Sequence, residues 1–174
     1  MGFLCCGTFA FVLVSSISLV ACSSGSAASG APSGSGGPGA APGAPAKALS
    51  ITIPKLGLKG SAPGETEPPI IGDGDPCMVM AANFTVNVSE AKATDPKTLK
   101  DEEAIAKGFN AKNTKSETLP DGWLMTYQNV GSMGDNYFVS IRREIGGKAY
   151  LCETMQSTPA QQAAVVAFCK SLSK

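Results

Sequence analysis

The side chains best suited to covalent chemistry in this sequence are its cysteines, because the chain has six of them and no histidine. Without an imidazole base, the Ser-His-Asp triad, the Cys-His pair and the HExxH zinc motif are excluded. Thiols can carry a lipid or join in disulfides, and their surroundings in the chain decide between these uses. The cysteines are Cys5, Cys6, Cys22, Cys77, Cys152 and Cys169.

Cys22 follows an apolar run, residues 9–20, that has the length of a secretory signal and is too short to span a membrane. The join Leu19-Val20-Ala21-Cys22 resembles the lipobox of bacterial lipoproteins. That resemblance implies removal of residues 1–21 as a signal peptide, a diacylglyceryl group on the Cys22 sulfur and a third acyl chain on the new amino terminus. Several acyl chains together anchor a protein almost permanently.

A second interpretation places the lipid at the start of the chain. Gly2 followed by Cys5 and Cys6 looks like an anchor of one myristoyl and one palmitoyl chain, but the myristoylation pattern has Ser or Thr where this chain has Cys6. This interpretation leaves the apolar run and the lipobox unexplained, so the lipobox is preferred. The first charged residue is Lys47, which leaves the signal without its usual positive residues and leaves open a start upstream of Met1.

The 24 residues from 23 to 46 comprise 7 Gly, 7 Ala, 6 Ser and 4 Pro. With no charge and no large apolar side chain, this segment (residues 22–46 with the lipidated cysteine) is predicted to be a disordered linker. Its mean span is roughly 27 Å. Ser23 after the lipidated cysteine resembles the lipoproteins sorted to the outer membrane. We expect a lipid-anchored protein of the bacterial envelope, in the outer membrane, either on its periplasmic face or on the cell surface. The inner membrane is the alternative.

The charged residues all lie between positions 47 and 174, with 14 of each sign. A neutral domain without a basic stripe predicts no nucleic-acid partner. Residues 47–76 are predicted to hold a strand, at 48–54, and a Gly/Pro-rich loop, at 55–76. Residues 77–174 are predicted to form the globular domain, which is long enough for one core.

Alternation of apolar residues predicts one long strand at 77–88 and four later strands, at 114–119, 123–130, 136–145 and 148–155. Asp95-Pro96 predicts the start of a helix, in which Leu99, Ile105, Ala106 and Phe109 share the buried arc. A second helix begins at Thr158, which forms a capping box with Gln161. Its buried stripe is Val165, Phe168, Cys169 and Leu172.

A disulfide is expected in an exported domain, because the compartment is oxidising. Cys152 lies in the last predicted strand and Cys169 in the buried stripe of the helix that follows it. We predict a Cys152–Cys169 bridge that joins strand to helix, with a contribution of about 3 kcal/mol on the chain-entropy account. Cys77 is then free or paired with another chain.

The order of elements predicts an α+β fold, in which an antiparallel sheet with a C-terminal four-strand meander is covered by two helices. This order, with the stretches Asp121-Gly122-Trp123 and 146–150 (Gly-Gly-Lys-Ala-Tyr), resembles the PsbP-like α/β/α sandwich. The resemblance covers residues 77–174. It implies accessory or scaffold roles only by analogy.

The sequence offers several weaker site candidates. The acidic loop with Glu65, Glu67, Asp73 and Asp75 lacks the spacing of a calcium loop and is interpreted as solvated. Four aromatic residues could line a ligand groove but are interpreted as core: Trp123, Tyr127, Tyr137 and Tyr150. Arg142-Arg143 beside Glu144 is interpreted as a surface salt bridge.

We expect a non-catalytic, monomeric accessory domain that binds an envelope protein or a glycan. We expect it to use no cofactor and no metal. The alternative is a small-ligand carrier with a pocket between sheet and helices. The acids Glu117, Asp121, Glu144 and Glu153 have no recognisable partner in the sequence, so an enzyme ranks third.

Overall fold

In a computed structural model, residues 48–132 and 134–174 are described. The predicted signal peptide at 1–21, Cys22 and the linker at 22–46 lie outside the described residues. The domain begins with a β-hairpin, β1 (Leu49–Ile53) and β2 (Leu58–Ala62), which pair antiparallel through a 3₁₀ turn at Pro54–Leu56. The predicted loop at 55–76 was therefore wrong in part. Gly60 and Ala62 are weak strand formers, so the sequence of β2 carries little strand signal.

A seven-stranded antiparallel sheet forms the centre of the domain. Its spatial order is β3-β4-β5-β9-β8-β7-β6, and the last four strands in the chain form the predicted meander. The predicted single strand at 77–88 is two strands, because the chain turns at residues 81–84. The strands are β3 (Ile70–Ile71), β4 (Cys77–Met80), β5 (Thr85–Glu90), β6 (Lys112–Leu119), β7 (Gly122–Gly131), β8 (Gly134–Ile145) and β9 (Lys148–Gln156).

Two helices complete the fold, α1 (Leu99–Gly108) and α2 (Pro159–Ser171). The predicted start of α1 at Asp95-Pro96 was wrong, since Thr98 is the N-cap. Thr98 Oγ1 accepts from the Asp101 backbone N–H at 3.2 Å, and Asp101 Oδ2 accepts from the Thr98 backbone N–H at 2.9 Å. This reciprocal capping satisfies two otherwise unpaired donors, which Asp95 does not do. Helix α2 begins as predicted, with Thr158 as N-cap and Pro159 in the first turn.

The two faces of the sheet are covered unequally. Helix α2 and the β1–β2 hairpin pack on one face, where the predicted stripe Val165, Phe168, Cys169 and Leu172 is buried. Helix α1 covers the other face and contacts β7, above a smaller cluster around Trp123 and Met125. A helix of ten residues covers only part of a seven-stranded sheet. Three methionines of that face remain exposed: Met78, Met80 and Met155.

Cys152 and Cys169 are joined by a disulfide, the pair that the sequence predicts, with their Cα atoms 6.1 Å apart. The bridge links β9 to α2 within the larger core. Cys77 is a buried free thiol whose sulfur lies 3.4 Å from the Gly74 carbonyl oxygen. Among residues 48–132 and 134–174, no helix has both the length and the apolar character needed to cross a membrane.

Candidate functional site

A cleft of about 290 Å³ lies between helix α1 and the sheet face that the helix leaves partly open. Ile105 and Phe109 line it from the helix, and Tyr127, Phe138 and Met155 line it from the sheet. The sequence placed Ile105 and Phe109 in the buried arc of α1, but they are 44% and 52% exposed, so that prediction was wrong. Because these two side chains stand at the edge of the helix, they form a wall of the cleft.

The cleft has an aromatic wall made of three stacked rings. The rings of Tyr127 and Phe138 lie 4.7 Å apart at an interplanar angle of 8°, and Phe109 stacks on Phe138 at 6.4 Å and 23°. Tyr127 and Phe138 are directly opposite each other on β7 and β8, so the pleat of the sheet holds them face to face. This wall offers flat apolar surface to a ligand.

Two carboxylates meet on the polar side of the cleft. Glu102 comes from α1 and is only 3% exposed, while Glu153 comes from β9. Glu153 lies between Asn87 on β5 and Ser140 on β8 in the strand register, so all three side chains share the face beneath α1. The Ser140 hydroxyl donates to Glu153 Oε1 at 3.1 Å.

The surroundings of these carboxylates disfavour their charged forms. Burial raises the pKa of Glu102 to about 6, the charge of Glu153 adds to this rise, and the nearby Ser140 hydroxyl opposes it. The pKa of Glu153 is also raised, mainly by burial and further by the charge of Asp95, against the lowering effect of the Ser140 hydrogen bond. Burial and both carboxylates raise the pKa of Tyr127 to about 12, so its phenol stays protonated at neutral pH.

Hydrogen-bond acceptors outnumber donors on this polar side. A serine hydroxyl has one proton to give, and Ser140 gives it to Glu153. The buried side-chain oxygen of Asn87 has no hydrogen-bond partner among the described residues. No ion pair in the described part of the chain involves Glu102 or Glu153. Since buried polar groups are nearly always paired, the Asn87 oxygen marks a place for a donor from outside the chain.

The four aromatic residues that the sequence grouped do not form one groove. Trp123 and Tyr127 lie on the α1 side of the sheet, whereas Tyr150 belongs to the core on the α2 side. Trp123 is core, as predicted, and its Nε1 donates to the Lys97 carbonyl at 3.4 Å. Tyr137 lies two residues before buried Val139 on β8, so both side chains face the α2 side. Only Tyr127 reaches the cleft.

The interpretation of the acidic loop as solvated was wrong for Glu65, which is 3% exposed and makes a structural contact. Glu65 is buried and accepts from the backbone N–H groups of Ala82 and Asn83, at 3.2 and 2.9 Å, which stabilises the β4–β5 turn. Asp75 pairs with Lys92 at 3.2 Å. No group of three His, Cys, Asp or Glu side chains within the described ranges could hold a metal ion.

Arg143 makes a structural ion pair, with Asp121 rather than with the predicted neighbour Glu144. Arg143 Nη2 lies 2.6 Å from Asp121 Oδ2, and Nη1 donates to the carbonyls of Cys169 and Lys170 at the end of α2. A guanidinium at a helix C-terminus satisfies carbonyls that the helix leaves unpaired. Arg142 Nη1 donates to the Pro96 carbonyl at 3.4 Å, near the cleft. Glu117 pairs with Lys170.

The sequence analysis missed several residues of the site: Asn87, Phe138, Ser140, Met155 and Glu102. Of these, Glu102 has a signal in the sequence. It lies three residues after Leu99 and four before Ala106, in the arc of α1 that faces the sheet. A charged residue inside an otherwise apolar arc is the signal that identifies it. Its neighbours Asp101 and Glu103 are ordinary polar residues of a surface helix, and they hide this signal.

The pH dependence of stability tests the environment of Glu102. Because its pKa is raised from 4.5 to about 6 on folding, the folded state binds the proton more tightly. The resulting stability is fully present below pH 4.5 and is lost as pH rises through about 6, by about 1–2 kcal/mol. We expect Glu102→Gln to remove this part of the fall when urea unfolding is followed from pH 4 to 7.5. Glu103→Gln is the control, and an equal fall in the Glu102→Gln and Glu103→Gln variants would contradict the assignment.

No protein-family model matches this chain, and no curated protein sequence matches it significantly.

Proposed function

We propose that this protein is a lipid-anchored component of the bacterial envelope whose domain binds a small, partly apolar ligand in the cleft beneath α1. The observation that carries the proposal is the cleft itself, with an aromatic wall on one side and, on the other, two carboxylates and the unpaired buried oxygen of Asn87. Concave sites of this composition are typical of small-molecule binding. This favours the ligand-carrier alternative of the sequence analysis over the partner-binding domain.

A larger groove of the described domain supports this choice by contrast. A groove of about 490 Å³ runs between α2 and β6, lined by Glu117, Lys170 and small residues of the helix. Glu117 and Lys170 pair with each other across it at 2.7 Å. Lys115 also lines this groove and makes no ion pair within the described residues, but no buried side-chain atom of the groove lacks a hydrogen-bond partner there, in contrast to Asn87 in the α1 cleft.

The membrane part of the proposal depends on the lipobox at Cys22. Acylation there would hold the domain by the 22–46 linker, and a flexible linker would let the domain take up a ligand near the lipid surface. Absence of catalysis remains a prediction. Paired carboxylates with raised pKa values are also suited to general acid–base chemistry, so turnover of a bound ligand would revise the proposal from carrier to enzyme.

Two matched isoleucine substitutions test the cleft as a binding site. The full-length chain, labelled with ¹³C in the methionine methyl groups, is titrated with 2-phenylethanol, and the Met155 methyl shift is followed by NMR. Ile105→Ala removes apolar surface inside the cleft and is expected to weaken binding about 3- to 20-fold. Ile70→Ala removes the same atoms from a residue that is 67% exposed elsewhere on the domain and should leave the affinity unchanged. Equal weakening by both variants would refute the proposal, as would a Met155 signal that does not shift and saturate with any neutral or charged probe of this carbon skeleton.

A further inference from the structure

We infer that the ligand of this cleft is a primary amine that carries a short alkyl or aryl group, an inference that depends on the proposed function. Its ammonium group would lie between Glu102 and Glu153, with Asn87 Oδ1 within reach, and its apolar part would lie on the Phe109–Phe138 stack. The inference combines charge, hydrogen bonding and shape, each of which is observed independently.

The charge around the cleft is negative and uncompensated. Glu102 and Glu153 face each other from α1 and β9, and Asp95 adds a third negative charge near Glu153. No Lys or Arg is among the residues that line the cleft, and Arg142, which donates to the Pro96 carbonyl at its edge, makes no ion pair within the described residues. A cation bound in the cleft would relieve the mutual repulsion of the carboxylates and the cost of their burial.

The hydrogen-bonding demand of the cleft matches an ammonium group. Glu102, Glu153 and Asn87 provide acceptors, and the Asn87 oxygen is buried and without a donor among the described residues. A primary ammonium supplies three N–H donors, an alcohol supplies one and a carboxylate none. Only the ammonium can serve Glu102, Glu153 and Asn87 together.

The apolar wall of the cleft determines which hydrocarbon group the amine can carry. Phe109 is 52% exposed and Met155 is 56% exposed, so both offer apolar surface at the mouth of the cleft. Stacked Phe138 and Tyr127 continue this surface inward toward the carboxylates. A flat or linear hydrocarbon group attached to the amine would cover these rings, and the ring faces would also attract the cation.

Three probes with one carbon skeleton test the inference on the full-length chain. They are 2-phenylethylamine, 2-phenylethanol and phenylacetate, which are positive, neutral and negative at pH 7.5. The Met155 methyl shift reports binding of each probe. A hydrogen bond to a charged group contributes about 1.5–3 kcal/mol, so the amine is expected to bind at least ~10-fold more tightly than the alcohol. Phenylacetate should bind most weakly.

Isosteric variants separate the charge from the fold. Glu102→Gln and Glu153→Gln should each weaken amine binding at least ~10-fold and change alcohol binding by less than ~2-fold, because only the amine uses the charge. Glu103→Gln, on the same helix but outside the cleft, should change neither affinity. Amine affinity should also fall below pH 6, where Glu102 becomes protonated. Urea unfolding of each variant verifies that the fold persists.

The outcomes distinguish a failure of this inference from a failure of the proposed function. If the alcohol binds as tightly as the amine, the ligand is not a cation and the inference fails while the cleft remains a binding site. Tighter binding of phenylacetate would overturn the inference and assign the charge recognition to Arg142. If none of the three probes shifts Met155, the inference and the proposed function both fail.

Discussion

Replacement of Phe168 by alanine is expected to lower the free energy of unfolding by about 3–5 kcal/mol, the cost of removing a large aromatic side chain from a packed core. Phe168 is fully buried on α2, and its ring centroid lies 5.4 Å from that of Phe84. The ring also lies against Gly60 of the β1–β2 hairpin. Its loss would therefore leave a cavity where helix, sheet and hairpin meet. Urea unfolding of the full chain at constant pH measures the change.

Phe109→Ala is the matched control, because it removes the same atoms from a side chain that is 52% exposed. Its effect on stability should stay below ~1 kcal/mol, since surface substitutions rarely exceed this. A cost below ~1.5 kcal/mol for Phe168→Ala, or equal costs for both variants, would show that the helix does not close the core as described.

The sequence predicted the α2 half of the fold well because its signals there are local. The stripe at Val165, Phe168 and Cys169 has helical spacing, and Thr158 caps the helix within the same stretch of chain. The strands of the meander are joined by short turns, so neighbours in sequence are neighbours in the sheet. Local periodicity is sufficient to predict the fold where each element packs beside the next one in the chain.

Of the β1–β2 hairpin, only β1 was predicted, because β2 depends on a contact with a distant part of the chain. A Cβ atom on Gly60 would lie 2.7 Å from the Phe168 ring, more than a hundred residues further along the chain. The glycine is therefore required by a close approach of strand to helix, although in the sequence it resembles a loop residue. Long-range fit of this kind has no periodic signal.

The cleft escaped prediction because the rotation of α1 about its axis is set by tertiary contacts. Periodicity allowed Ile105 and Phe109 to face the sheet, but the structure turns Glu102 and Ala106 toward it. Small Ala106 packs in the cluster with Trp123 and Met125, which brings Glu102 beside Glu153. This arrangement places a carboxylate where the hydrophobic pattern would place an apolar residue. Departures of this kind from the local rules are typical of functional sites.

Loss of the Cys152–Cys169 bridge is the second large effect that we expect. On the chain-entropy account, a cross-link that closes a loop of this length contributes about 3 kcal/mol. The sequence separation is 17, and both sulfurs lie in the core on the α2 side of the sheet. Reduction of the native chain should therefore lower its unfolding free energy by about that amount. Urea unfolding with and without dithiothreitol measures the difference.

A chain with Cys152→Ala and Cys169→Ala should have the lower stability under both conditions and should no longer respond to dithiothreitol. Cys77→Ala is the control, because Cys77 is buried in the same core but is free. This variant should keep the full response to reductant. Equal stability of the native chain with and without dithiothreitol would contradict the prediction. The ligand cleft lies on the opposite face of the sheet, so a reduced chain that remains folded should still bind 2-phenylethanol, which separates the stabilising role of the bridge from the binding role of the cleft.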